Sequence, residues 1–122
     1  MITILIVDDE KLERKGIRFL LNRRSEEMEI LEAANGKAAC EILQHRTVDI
    51  MLTDIKMPFM DGIELVSVAH KLQPDLQMVI FSGYGEFAYA KKAMASGVSN
   101  YVLKPVDPAE FENTLNLLVE KI

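Results

Sequence analysis

Tryptophan is missing from this sequence and cysteine occurs only once. A lone thiol, Cys40, cannot close an internal disulfide, and two histidines without ligand spacing argue against a Cys/His zinc site. Basic residues are not in excess either. The 14 Lys and Arg stand against 19 Asp and Glu, a formal charge of −5, which is the wrong sign for a surface that follows nucleic-acid phosphates. No apolar run approaches the length needed to cross a bilayer, and the opening stretch turns acidic at Asp8 and Asp9. These absences predict a soluble, cytoplasmic chain that attaches to no membrane and makes no direct contact with nucleic acid. What is present, 49% hydrophobic and 27% charged residues over 122 positions, is the make-up of one globular domain spanning residues 1–122.

Short apolar runs rich in β-branched residues alternate with longer segments whose apolar residues recur three and four apart, the pattern of alternating strands and helices. The pattern reads (βα)5. Strands are predicted over Ile2 to Val7, Met28 to Ala34, Asp49 to Thr53, Leu76 to Phe81 and Asn100 to Leu103. The first, third and fourth are nearly continuously apolar, as strands covered on both faces are. Between them, Ile17, Leu20 and Leu21 form one helical stripe. Ala38, Ala39, Ile42 and Leu43 form a second, and Leu65, Val66, Ala69 and Leu72 a third. A fourth helix is expected over 86–96, packing through Phe87, Ala90, Ala93 and Met94, with Gly97 as its C-cap. The last helix opens with Asp107 as N-cap and Pro108 at its first position, then shows Phe111, Leu115, Leu118 and Ile122 on one face. Asn35-Gly36, Pro74-Asp75 and Gly83-Tyr84-Gly85 read as turns. Right-handed crossovers then place helices on both faces of a parallel sheet, an α/β three-layer sandwich.

Open parallel sheets bind ligands beyond the carboxyl ends of their strands. The first strand runs into Asp8-Asp9, the third into Asp54, the fourth into Ser82-Gly83 and the fifth into Lys104-Pro105. Three converging carboxylates repel unless their pKa values rise or a cation binds. Oxygen donors without His or Cys select a hard divalent cation, and Mg²⁺ in such a site usually carries a phosphate oxygen as well. Asp54 is then the candidate nucleophile for phosphoryl acceptance, Lys104 the fixed cation, and Ser82 a hydroxyl that donates to a phosphoryl oxygen.

Each residue also has a plainer reading. Asp8 or Asp9 alone is most often a helix N-cap, a lone Asp54 a turn former, and Ser82-Gly83 or Lys104-Pro105 an ordinary loop. His45 and His70 read as solvated or half-buried helix residues, Cys40 as helix packing. Joint placement on four strand ends is what favours the chemical reading. A haloacid dehalogenase-type phosphatase is a rival, but it wants a second Asp where Lys56 stands. A flavodoxin-like flavin binder is another, but it wants a phosphate-cradling loop where Asp8-Asp9-Glu10 presents three negative charges.

The whole chain resembles the receiver domain of bacterial two-component response regulators, the CheY-like, flavodoxin-like fold. The motifs are Asp8-Asp9, the stretch Asp54-Ile55-Lys56-Met57-Pro58-Phe59-Met60-Asp61-Gly62, then Ser82-Gly83 and Tyr101-Val102-Leu103-Lys104-Pro105. The resemblance implies strand order 2-1-3-4-5 and a phosphoryl group taken by Asp54 from a sensor histidine kinase. It also implies Mg²⁺ held by Asp9, Asp54 and the Lys56 carbonyl, with Asp8 acting through a metal-bound water. Lys104 would pair with the phosphoryl group, preceding Pro105 through a cis peptide. Ser82 and Tyr101 match a switch pair that alters the surface of the fourth helix, fifth strand and fifth helix, where a homodimer could form. Lys56 and Tyr84 flank the water path to the phosphoryl group, and the last helix lacks the Arg of one subfamily's dimer salt bridges. The run 81–90 is similar to receivers joined to an AraC-type output domain, which implies DNA binding through a domain absent from this sequence.

Overall fold

The computed structural model describes residues 1–122 except 84, 87, 89, 90, 92–94, 96, 97 and 99. Its elements run β1 (Ile2–Val7), α1 (Lys11–Asn22), β2 (Met28–Ala33), α2 (Gly36–His45), β3 (Ile50–Asp54), α3 (Gly62–Leu72), β4 (Gln77–Ser82), β5 (Asn100–Leu103) and the C-terminal helix α4 (Pro108–Glu120). The helix expected over 86–96 and its Gly97 cap lie largely outside the described residues. All strand pairs are parallel and the sheet order is β2-β1-β3-β4-β5, as expected.

Alternation along the strands divides the apolar residues between two cores. Leu5, Val7, Met51, Met78 and Ile80 meet Ala39 and Leu43 of α2 and Leu65, Val66 and Ala69 of α3. Ile4, Ile6, Leu52, Val79 and Val102 meet Ile17 and Leu21 of α1 and Phe111, Leu115 and Leu118 of α4. Phe81 and Phe111 stack in this second core with centroids 6.2 Å apart. Each fully buried aliphatic side chain contributes roughly 1.5 to 3 kcal/mol by leaving water, so the two cores fix the sheet that carries the strand ends.

Three strands differ in their bounds from the sequence expectation. β2 ends at Ala33, while β3 and β4 each run one residue later, because pairing continues through Asp54↔Phe81 and Ser82↔Leu103. Asp49, just before β3, accepts the Thr3 N–H on its side chain at 2.8 Å, while its own N–H bonds Thr3 O at 2.9 Å and its carbonyl accepts from the Gln77 N–H at 3.1 Å. The Leu76 N–H closes a turn on Gln73 O at 3.1 Å. Asn35-Gly36 opens a helix where a turn was expected: Asn35 is the N-cap of α2 and accepts from the Ala38 N–H at 2.8 Å. Asp107 caps α4 as its sequence context predicts, accepting from the Ala109 N–H at 3.0 Å ahead of Pro108.

Candidate functional site

β1 and β3 pair up to Val7↔Thr53, so the next residues of the two strands, Asp8 and Asp54, emerge side by side. Asp8 is 2% exposed, its N–H tied to Ala33 O at 3.2 Å. It does not cap α1. That helix begins after Glu10, which makes no side-chain cap bond, and Asp8 Oδ1 instead accepts from the Glu10 N–H at 2.9 Å. Asp54 Oδ1 accepts from the Ile55 N–H at 2.9 Å and lies 3.1 Å from Lys104 Nζ. The same ammonium is 3.9 Å from Asp8 Oδ2. Asp9 completes the cluster, so that Asp8, Asp9 and Asp54 each offer an oxygen within 4.8 Å of the others.

Burial and crowding shape the charges. Burial above all, with the neighbouring Asp54 and Asp9 charges, pushes Asp8 up to about 6 against the lowering pull of the Glu10 amide and Lys104. Burial also raises Asp54, with a smaller push from the Glu86 carboxylate, although Lys104 and the Ile55 amide lower it. Burial works to lower Lys104, but the hydrogen bond and charge of Asp54, then Asp8 and Glu13, outweigh it and leave the ammonium raised. The Lys104 ammonium thus faces Asp54 and Asp8, with the Asp9 carboxylate beside them. The oxygen-only donor set fits a hard divalent cation, which would relieve the remaining repulsion.

Ser82 closes β4 with its side chain fully buried and its Oγ without a hydrogen-bond partner among the described residues. A buried hydroxyl left unbonded costs about 1 to 3 kcal/mol, so it stands ready to donate when an acceptor arrives. Lys104 is positioned by its own N–H, which donates to Ser82 O at 2.8 Å, and its bond to Pro105 is cis. Tyr101 on β5 is half-buried against the core under α2 and α3. Lys56 is exposed in the loop after Asp54. Tyr84 lies outside the described residues.

Two positioning features were not read from the sequence. Gly62 approaches the end of β3 so closely that a Cβ would collide with the Asp54 carbonyl and lie 2.8 Å from Ile55 Cα. Its N–H bonds Ile55 O at 2.7 Å, which folds the 55–61 loop back beside the acidic residues. Within that loop Phe59 is fully exposed with φ +71, a left-handed conformation costing a non-glycine residue on the order of 1 kcal/mol. Arg14 is the other. Its guanidinium donates to Asp8 O at 2.7 Å and pairs with Glu32 at 2.9 Å, bracing the turn after β1. The sequence signal was a basic residue one turn into the helix that follows the acidic pair.

A recess of about 610 Å³, walled by Val48, Asp49, Leu76, Gln77, Lys121 and Ile122 among others, contains none of these residues. No helix among the described residues is long and apolar enough to cross a membrane.

Comparison with known proteins gives this geometry a context. The family profile of the response regulator receiver domain matches residues 4–116. The uncharacterized transcriptional regulatory protein YesN of Bacillus subtilis is 36% identical over 123 residues, covering 100% of this chain and 33% of that protein. Among solved structures, a two-component transcriptional regulator AraC from Clostridium phytofermentans superposes with a TM-score of 0.88 at 38% identity, over 99% of this chain and 95% of that one. The REC domain of AraT, a response regulator from Geobacillus stearothermophilus, gives 0.85 at 38% identity, over 98% and 93%. The chain spans between a third and a half of the length of the first curated relatives it matches.

Proposed function

The chain belongs to the response regulator receiver domain family, and from that premise we propose that Asp54 is the acceptor of a phosphoryl group delivered by a sensor histidine kinase. The observation that carries the reading is the meeting of Asp8, Asp9 and Asp54 with the single ammonium of Lys104 at neighbouring strand ends. In the transfer the N–P bond of a phosphohistidine breaks, its electron pair remaining on the imidazole nitrogen, and a carboxylate oxygen of Asp54 forms the new O–P bond. Asp9, Asp54 and the Lys56 carbonyl would hold Mg²⁺, with Asp8 acting through a bound water. That ion supplies neutralisation of charge on the transferring group. Lys104 already lies within bonding distance of the acceptor and pairs with the incoming phosphoryl oxygens.

The product adds nearly two negative charges and three acceptor oxygens. Ser82 then gains the partner its buried hydroxyl lacks, and the arrangement in which Ser82 and Lys104 both face the phosphoryl group is favoured. Tyr101, which lies opposite Ile80 in the β4–β5 register two residues before Ser82, carries that preference toward the surface of β5 and α4. There a homodimer forms or an output domain is released. The chain thus acts as a signalling switch that catalyses its own modification. In a longer cytoplasmic regulator, DNA would be bound by a separate AraC-type output domain.

Intact-protein mass after incubation with a small acyl phosphate and Mg²⁺ tests the reading. The wild type is expected to gain one phosphoryl group, while Asp54→Ala and a chelator-treated wild type gain none. Uptake by a folded Asp54→Ala at the wild-type rate would overturn the assignment, and uptake in chelator would overturn the metal's part in it.

A further inference from the structure

The turn that carries Asp9 is held at both of its ends, and one of the two holds comes from a neighbouring helix. Asp8 Oδ1 accepts the Glu10 N–H at 2.9 Å, an Asx turn with Asp9 at its middle. The Asp8 carbonyl is taken by Arg14 of α1, whose Nη1 donates to it at 2.7 Å. That carbonyl belongs to the planar peptide unit joining Asp8 to Asp9, so fixing it fixes the plane from which Asp9 departs. Asp9 is exposed on this turn, and the direction of the backbone therefore sets where its carboxylate stands.

Arg14 is itself aimed by a second contact. Its Nε donates to Glu32 Oε1 at 2.9 Å, and its side chain is only 13% exposed. Glu32 stands on β2 opposite Ile6 of β1, two residues before Asp8, so the contacts run from the sheet through Arg14 to the peptide between the two acidic residues. Arg18, one helical turn on, shares the same carboxylate: its Nε donates to Glu32 Oε2 at 2.9 Å and its Nη2 to Ile30 O at 3.1 Å. Both arginines tie α1 to β2, and Arg14 extends the tie to the acidic turn. Groups that orient the ligands of a metal site raise its affinity, because the ion then need not gather mutually repelling carboxylates as it binds.

We propose that Arg14 is a positioning residue for the divalent cation, holding the Asp8–Asp9 peptide so that the Asp9 carboxylate stands beside Asp54 before the ion arrives. The inference deepens the reading of Asp8, Asp9 and Asp54 as the seat of Mg²⁺ and rests on it. Arg14 acts through Asp9 and takes no part in the transfer, so its loss weakens the ion's binding and leaves the rate at saturating ion unchanged.

Mg²⁺ binding to the full chain, followed by titration calorimetry without any phosphodonor, tests this role. Arg14→Met keeps the aliphatic bulk and loses both donors, and its dissociation constant for Mg²⁺ is expected to rise about tenfold, as for other contacts that orient a metal ligand. With acetyl phosphate, the Mg²⁺ concentration giving half the maximal phosphorylation rate should rise by the same factor, while the rate at saturating Mg²⁺ stays within about twofold of wild type. Arg18→Met loosens the same Glu32 and the same helix, and is expected to keep Mg²⁺ affinity within about twofold of wild type even where it lowers Tm. Arg14→Lys keeps the charge and one donor, and is expected to bind Mg²⁺ with an affinity between those of wild type and Arg14→Met. Unchanged affinity in a folded Arg14→Met, or an equal weakening in Arg18→Met, overturns the inference. If Arg14→Met does not fold, unchanged affinity in Arg14→Lys overturns it. A wild type that binds no Mg²⁺ overturns the metal reading and this inference with it, an outcome distinct from failure of Arg14 alone.

Discussion

Arg24, after α1, and Asp8, after β1, are both charged side chains almost withdrawn from solvent, at 5% and 2% exposure. The Arg24 guanidinium bonds both Glu26 oxygens at 2.9 and 2.8 Å, Glu112 Oε2 at 2.9 Å and Asn116 Oδ1 at 2.9 Å. The Glu26 carboxyl is lowered in return, chiefly by its hydrogen bond from Arg24. Asp8 has one backbone donor and an ammonium at 3.9 Å, and burial drives it up to about 6. The first charge carries its partners on the same chain, and it ties α4 to the α1–β2 turn. The second stands among like charges, an arrangement that a cation from outside would complete. A buried charge is therefore informative about function when the chain leaves it short of partners.

The strongest way to sharpen this contrast is Arg24→Ala. Removing the buried guanidinium leaves the partly exposed Glu26 and Glu112 without their shared donor, so unfolding in urea should show a loss of about 1 to 3 kcal/mol, while the phosphorylation rate of the protein that remains folded stays at the wild-type value. A loss below about 1 kcal/mol would mean that Arg24 is not the tie described.

Asp8→Asn should act in the opposite direction. In the unfolded chain Asp8 ionises near 3.8 and in the folded chain near 6, so the folded state holds the proton more tightly. Stability is then highest below the unfolded value, falls as pH rises from 3.8 through about 6, and stays lower above it by roughly 2 to 3 kcal/mol in chelator. Asp8→Asn removes that step and raises stability above pH 6, while Mg²⁺ raises its Tm less than it raises that of the wild type. Melting curves across pH, with and without Mg²⁺, check both. An unchanged pH profile would show that Asp8 is not the strained group.

Ser82→Ala has the smallest expected effect on folding. Deleting an unbonded hydroxyl leaves stability unchanged or raises it by up to about 1 kcal/mol. The ratio of phosphorylated to unmodified protein at a fixed donor concentration should drop about tenfold, the worth of roughly 1.5 kcal/mol for one hydrogen bond to a charged acceptor. A clear loss of stability would mean that Ser82 is bonded in the resting state, and the contrast between satisfied and waiting groups would fail at that residue.

The fold was legible because its signals are local and periodic. Ile4-Leu5-Ile6 and Met51-Leu52 are apolar without alternation since helices cover both faces of those strands, and Asp107-Pro108 marks a helix start through cap chemistry that needs no tertiary contact. Strand ends were misjudged by one residue at β2, β3 and β4 because the limit of a ladder depends on its neighbour: Asp54 stays paired through Phe81, and Ser82 through Leu103. Asn35-Gly36 was read as a turn because the same residues serve turns and N-caps, and only the helix behind them decides. In the site, the acidic residues, Ser82 and Lys104 could be nominated from their places after strands, whereas Arg14 and Gly62 could not, since each acts through a contact with another part of the chain.

By itself the sequence determined the alternation of strands and helices, the apolar faces they bury and the residue types delivered to the strand ends, because periodicity and capping are properties of neighbours along the chain. Tertiary structure alone decided that Asp8 is buried, that Lys104 reaches Asp54 rather than solvent and that Gly62 must lack a side chain. Those outcomes depend on parallel register and crossover packing, which bring residues fifty and more positions apart within bonding distance and set how much water is left between their charges.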